Sequence, residues 1–174
     1  GTGGADSCRN TVTAVSELMY GIKIDHYISV TMDAVSTLND LAGGVTVNVL
    51  DDFTGVDDAL IKGKDVTLMG SQALTYVRVR RGLEDSSNQS RMLRQQQYLT
   101  ALYEKIDSCI SSDANFAVKA VSEISPFMVT DSTATKLSEI INDLSDYELK
   151  EILTIDGEAV KGDVYMEYYV DDNS

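Results

Sequence analysis

Three consecutive runs constrain this chain more than anything else in it. Residues 26–30, "HYISV", read as a buried strand; residues 32–44, "MDAVSTLNDLAGG", as a helix closed by glycine; residues 45–49, "VTVNV", alternate strictly and read as a strand. Strand, helix and strand within about 25 residues predict an α/β fold, layered α-β-α, with a central mixed sheet flanked by helices. The length of 174 residues suits one domain, residues 1–174, and charged residues at 24% are ordinary for a globular chain.

The flanks follow the same logic. Residues 5–20 place Val12, Val15, Leu18 and Met19 at helical spacing, with Gly21 as a stop. Residues 51–70 are polar and punctuated by glycine, so they read mostly as loop, with a turn near Val56–Ile61. Residues 71–76 read as a short helical piece, and "YVRVR" (76–80) as a strand with Tyr76, Arg78 and Arg80 on one side. Residues 82–90 read as loop. A long helix follows, from Asn88 or Ser90 to Ser111, with an apolar stripe of Met92, Tyr98, Leu99, Leu102 and Ile106. Residues 114–124 and 132–144 read as helices, and Ser125, before Pro126, as extended. Residues 150–156 and 163–170 read as strands joined by the turn "DGEAVKG".

Charge sorts the chemistry. The formal net charge is −14, which repels polyanions at long range and argues against nucleic acid as a partner. Yet five of the six arginines lie between positions 78 and 94. Arg91, Arg94 and Gln95 stand at i, i+3 and i+4, on one face near a helix start, and Arg78 and Arg80 share a face just before it. Guanidinium groups match phosphate oxygens in bidentate fashion and repel one another when crowded, so such a cluster needs a counter-anion. The residues alone leave two sources open: a bound anion, or Glu84 and Asp85 of the intervening loop in a salt-bridged surface. Arg81 breaks the alternation and reads as solvent-facing.

Other candidates point to structure. His26, the one histidine, reads as packed or at a strand edge, so no Ser–His–Asp or Cys–His nucleophile can be built on it. No Cys and His spacing suits a metal. Asp51 and Asp52, following a strand, suit a bound cation or, more simply, a turn cap, and Tyr165, Tyr168 and Tyr169 read as strand packing. From residue 130 onward twelve acidic residues face three lysines, a solvated acidic surface. Cys8 and Cys109 can be two free thiols or one disulfide. No run of 18 apolar residues is present, and no targeting segment is visible; the opening "GTGG" reads as a trimmed or tagged start.

The order of "GIKIDHYISVTMDAVSTLNDLAGGVTVNV", "LMGSQALTYVRVRR" and "RMLRQQQYLTAL" resembles the LytR-CpsA-Psr family, from Gly3 to Leu102 and more weakly through "PFMVTDSTATKLSEIINDL". The resemblance implies an extracytoplasmic, cell-surface protein anchored in the membrane. It implies transfer of an anionic glycopolymer, such as teichoic acid or capsule, from a polyprenyl-pyrophosphate carrier to peptidoglycan, assisted by Mg²⁺. It also implies that Arg78, Arg80, Arg91 and Gln95 hold the pyrophosphate, with Arg94 completing the Arg-x-x-Arg-Gln run. Two departures stand out. Asn88 occupies the place of an aspartate three residues before the helix arginine. The family's upstream strands, metal-binding aspartate and Ser-x-Pro-Arg-Asp segment have no counterpart, so the catalytic aspartates and one arginine are expected to be missing, and a sheet edge to be open. A rival reading is a non-catalytic extracytoplasmic module that holds a polyprenyl phosphate or a polyanionic glycan. A third is a plain structural domain with salt-bridged arginines.

Overall fold

A computed structural model describes residues 4–144, 147–154, 157–164 and 166–171. Helix α1 (Ala5–Leu18) is followed by strand β1 (Ile28–Val30), α2 (Met32–Leu41), β2 (Val45–Asn48) and β3 (Asp65–Leu68). Then come α3 (Ser71–Arg78), α4 (Asn88–Ser112), α5 (Phe116–Ile124), β4 (Met128–Thr130), α6 (Ala134–Leu144), β5 (Gly157–Lys161) and β6 (Met166–Val170). The chain is α/β, with helices around short strands. Among the described residues the strands pair as three two-stranded antiparallel ladders, β1 with β4, β2 with β3 and β5 with β6, rather than as one mixed sheet.

The β2–β3 ladder carries the main core. In β2, Val45 and Val47 are buried while Thr46 and Asn48 face out, the alternation expected of a strand with one covered face. Thr46 pairs with Thr67 and Asn48 with Asp65, each joined by a side-chain hydrogen bond of 2.8 Å. The inner face meets Phe53, Leu68, Tyr76, Tyr98 and Leu102. Sequence reading missed β3, because Asp65–Leu68 follows a glycine-rich turn and shows one buried position, Leu68.

The turn from α2 into β2 needs glycine. Gly44 has φ of +87°, and a Cβ there would lie 2.5 Å from Met69 Sδ and 2.7 Å from Thr67 Cγ2. Just before it, the buried Asn39 donates to Leu68 O at 2.9 Å and accepts from the Tyr98 hydroxyl at 3.1 Å. Asp40 Oδ1 accepts Gly70 N–H at 2.6 Å. The end of α2 is thereby tied to β3, to the start of α3 and to α4.

Several local expectations are corrected. "YVRVR" is not a strand: Ala73, Tyr76 and Val77 are buried at helical spacing, α3 runs to Arg78, and only Val79 beyond it is extended. β1 is exposed at all three residues, not buried. Ser125 is helical, at φ −54° and ψ −36°, within a 3-10 turn (Ser125–Phe127) that uses Pro126 in its first positions. The segment read as the turn "DGEAVKG" contains β5, residues 150–154 are not strand, and the turn falls later, after Lys161. Tyr168 and Tyr169 are more than half exposed; Tyr165 lies outside the described residues. Cys8 and Cys109 are free thiols. His26 stands 3.6 Å from Asp131 at the β1–β4 edge, as a strand-edge reading expects.

Candidate anion site at the end of α3

The junction of α3 and α4 is built by helix-end chemistry. Ser87 caps α4, accepting Ser90 N–H at 3.1 Å. Asp85 Oδ1 accepts Ser87 N–H at 2.9 Å, and that bond holds the Asp85 carboxyl below its ordinary value. Glu84 lies 3.9 Å from Lys62. Among the described residues neither loop carboxylate forms an ion pair with an arginine, although Asp85 feels the Arg94 charge at longer range, so the salt-bridged surface left open by the sequence is not formed there. Asn88, at the position of the family's aspartate, accepts a hydrogen bond from Arg91.

Arg78, Arg80, Arg81 and Arg91 surround, with Val79, an open recess of about 320 Å³. No carboxylate lines it. The Nε of Arg91 is buried and makes no hydrogen bond. Arg81 is exposed, as its solvent-facing reading expects, and it also lines the recess. A larger hollow of about 420 Å³ lies between Tyr103 and Tyr147, but it carries Glu104, Asp107 and Glu148 and no cation. Charge, not size, selects the recess.

Arg94 and Gln95 do not line it. Arg94 is fully buried, the largest such side chain in the core. Its Nη1 donates to Tyr76 O at 2.5 Å and its Nη2 to Val79 O at 2.6 Å, while its Nε stands 2.8 Å from Asp51 Oδ2 in an ion pair. The guanidinium lies beside the stacked rings of Phe53 and Tyr76, 5.2 and 5.9 Å from their centroids. Burial pulls the Arg94 pKa down and Asp51 pushes it back. Gln95 Nε2 donates to Val77 O at 3.0 Å. The expectation that Arg94 reaches a ligand is therefore corrected: its guanidinium is buried, with Nη1 and Nη2 bonded to α3 carbonyls and Nε facing Asp51 in an ion pair without hydrogen-bond geometry. Sequence reading took Asp51 for a turn cap; it is the counter-ion of Arg94 and also accepts the Ser90 hydroxyl. The missed signal was period: Ser90, Arg94, Tyr98 and Leu102 are the buried positions of α4, four apart.

Among the described residues no group of three His, Cys, Asp or Glu side chains could hold a metal ion. Asp51, paired with Arg94, and Asp85, bonded to Ser87 N–H, are already engaged. These residues do not fit the Mg²⁺ that the resemblance implies.

The domain is α/β and sets four arginines around one open recess. The LytR_cpsA_psr family profile matches residues 1–174, and the chain belongs to that family. It is 31% identical over 155 residues to biofilm regulatory protein A of Streptococcus mutans, a match covering 80% of this chain and 37% of that protein. It is 30% identical over 142 residues to the polyisoprenyl-teichoic acid–peptidoglycan teichoic acid transferase TagU of Enterococcus faecalis, covering 81% of this chain and 44% of that protein. The structure of TagV from B. subtilis superposes with a TM-score of 0.67 at 28% identity, covering 93% of this chain and 63% of that one. The chain thus spans less than half the length of these two relatives.

Proposed function

We propose that this chain supplies the pyrophosphate-holding part of a cell-envelope glycopolymer transferase. In that protein an anionic glycopolymer passes from a polyprenyl-pyrophosphate carrier to peptidoglycan. The observation that carries the reading is the recess: four guanidinium groups, no lining carboxylate and a buried unpartnered Nε. Crowded like charges of this kind are stable next to an anion and strained without one. In phosphoryl transfer most of the work is positioning and electrostatic stabilisation of the phosphorus, which Arg78, Arg80 and Arg91 are placed to give, with Arg81 beside them. The name of the Enterococcus faecalis relative, a transferase of teichoic acid to peptidoglycan, supports the substrate class.

The polyprenyl tail needs an apolar surface. Helix α1 offers one: Val12, Val15, Ile24, Tyr27 and Ile28 line a groove of about 280 Å³. Helix α1 walls this groove, whereas α4 turns Tyr98 and Leu102 into the core. An extracytoplasmic address, a membrane anchor and Mg²⁺ belong to this proposal for the whole protein. The test is binding of a short-chain polyprenyl pyrophosphate, followed by transfer from a lipid-linked donor by the full-length protein. Binding without transfer would favour the non-catalytic module.

A further inference from the structure

Arg94, the most buried charge among the described residues, sits behind the recess without lining it. An α-helix leaves its last four carbonyls without helical partners. At the end of α3 the Tyr76 and Val79 carbonyls accept from Arg94, and the Val77 carbonyl accepts from Gln95. Two adjacent residues of α4 therefore grip the backbone on both sides of Arg78 and immediately before Arg80. Arg94 is held in turn by Asp51, which Ser90 also bonds, and by the rings of Phe53 and Tyr76.

We infer that Arg94, seated on Asp51, is a positioning residue: it fixes where Arg78 and Arg80 stand at the recess and makes no contact with the anion. This rests on the anion reading above. Stability alone does not explain the pair, because a buried ion pair can often be replaced by apolar groups of similar volume at no loss. An apolar side chain cannot hold the carbonyls of Tyr76 and Val79 at a set spacing. Lysine cannot either, since it has one terminal nitrogen where arginine has a planar fork. The geometry matters at this site because its ligands repel one another: only a fixed backbone keeps them converged before the anion arrives.

The test uses the full chain and inorganic pyrophosphate, titrated by calorimetry at several salt concentrations. Arg94→Lys should bind about tenfold more weakly or worse. It should keep its circular dichroism and the wild-type salt dependence, because no phosphate-contacting charge is lost. Arg78→Gln should lose affinity and also show a shallower salt dependence. Asp51→Leu/Arg94→Met should remain folded and lose affinity like Arg94→Lys. In ¹⁵N spectra of the wild type, saturating pyrophosphate should move the Nε–H signals of Arg78, Arg80 and Arg91 and leave that of Arg94 in place. A shift of the Arg94 signal comparable to that of Arg78 would make it a ligand and overturn the inference, even if both Arg94 variants failed to fold. Wild-type affinity in a folded Arg94 variant would overturn it too. Equal binding by wild type and Arg78→Gln is a different failure, because it removes the anion site itself.

Discussion

Arg94 and Arg91 show how far three positions on a helix separate two identical side chains. Arg94 is in line with Tyr98 and Leu102, so its guanidinium enters the core; Arg91 is off that line and reaches the recess. The residue types and their spacing are legible in the sequence as an anion motif. Which arginine is ligand and which is scaffold is decided by the four-residue period of the buried face. Sequence reading placed Met92 and Leu99 on that face, yet both are about half exposed. Apolar character alone could not locate the stripe, because a charged residue with partners occupies it.

Tyr98 on the same stripe gives a pH prediction. Burial, helped by the nearby Asp40 charge, pushes its hydroxyl up to about 12. The folded value lies above the ordinary 10, so folding favours the protonated form. Stability is whole below about pH 10 and declines as pH rises toward 12, by about 2–3 kcal/mol for this group. Denaturant melts between pH 9 and 12 should show that decline in the wild type and a smaller one in Tyr98→Phe.

At the scale of elements, caps and turns decide the site. Ser87→Ala removes the acceptor for Ser90 N–H and should cost about 1 kcal/mol in urea unfolding, with weaker pyrophosphate binding because α4 carries Arg91. Gly44→Ala should be worse, at 2 kcal/mol or more by order of magnitude, since it combines a positive φ with a clash against Met69 and Thr67. A folded Gly44→Ala variant melting with the wild type would contradict the tight α2–β2 turn. Helices α1, α2, α4 and α5 were legible because each shows a 3.6-residue period with a start or stop signal. "YVRVR" misled because five residues satisfy a two-residue period by chance; extended back to Ala73, the same run shows helical spacing. The β5–β6 hairpin was misregistered because its first strand, "GEAVK", carries little apolar alternation and no covered face.

At the scale of the whole molecule, a chain of net charge −14 keeps a cationic recess by spending its nearby carboxylates elsewhere: Asp51 on Arg94, Asp85 on a backbone turn and Glu84 toward Lys62. Screening confines the repulsion of distant acids to about 8–10 Å, so the recess keeps its sign locally while the field as a whole disfavours nucleic acid. Cys8 lies beside the α1 groove and Cys109 packs with Ala42 and Phe116. Both thiols should react with a chromogenic disulfide in the denatured protein without prior reduction, and mass should not change on reduction. A reductant-dependent gain of two hydrogens would contradict their free state.

On the proposed reading, the arginines at the end of α3 and the start of α4 hold a pyrophosphate. Calorimetric titration of the protein with farnesyl pyrophosphate tests it most directly, alongside Arg78→Glu and Arg91→Glu. The wild type should bind, and each charge reversal should lower affinity by about a hundredfold or more, roughly 2.7 kcal/mol, while circular dichroism stays the same. Unchanged affinity in both folded variants would contradict it.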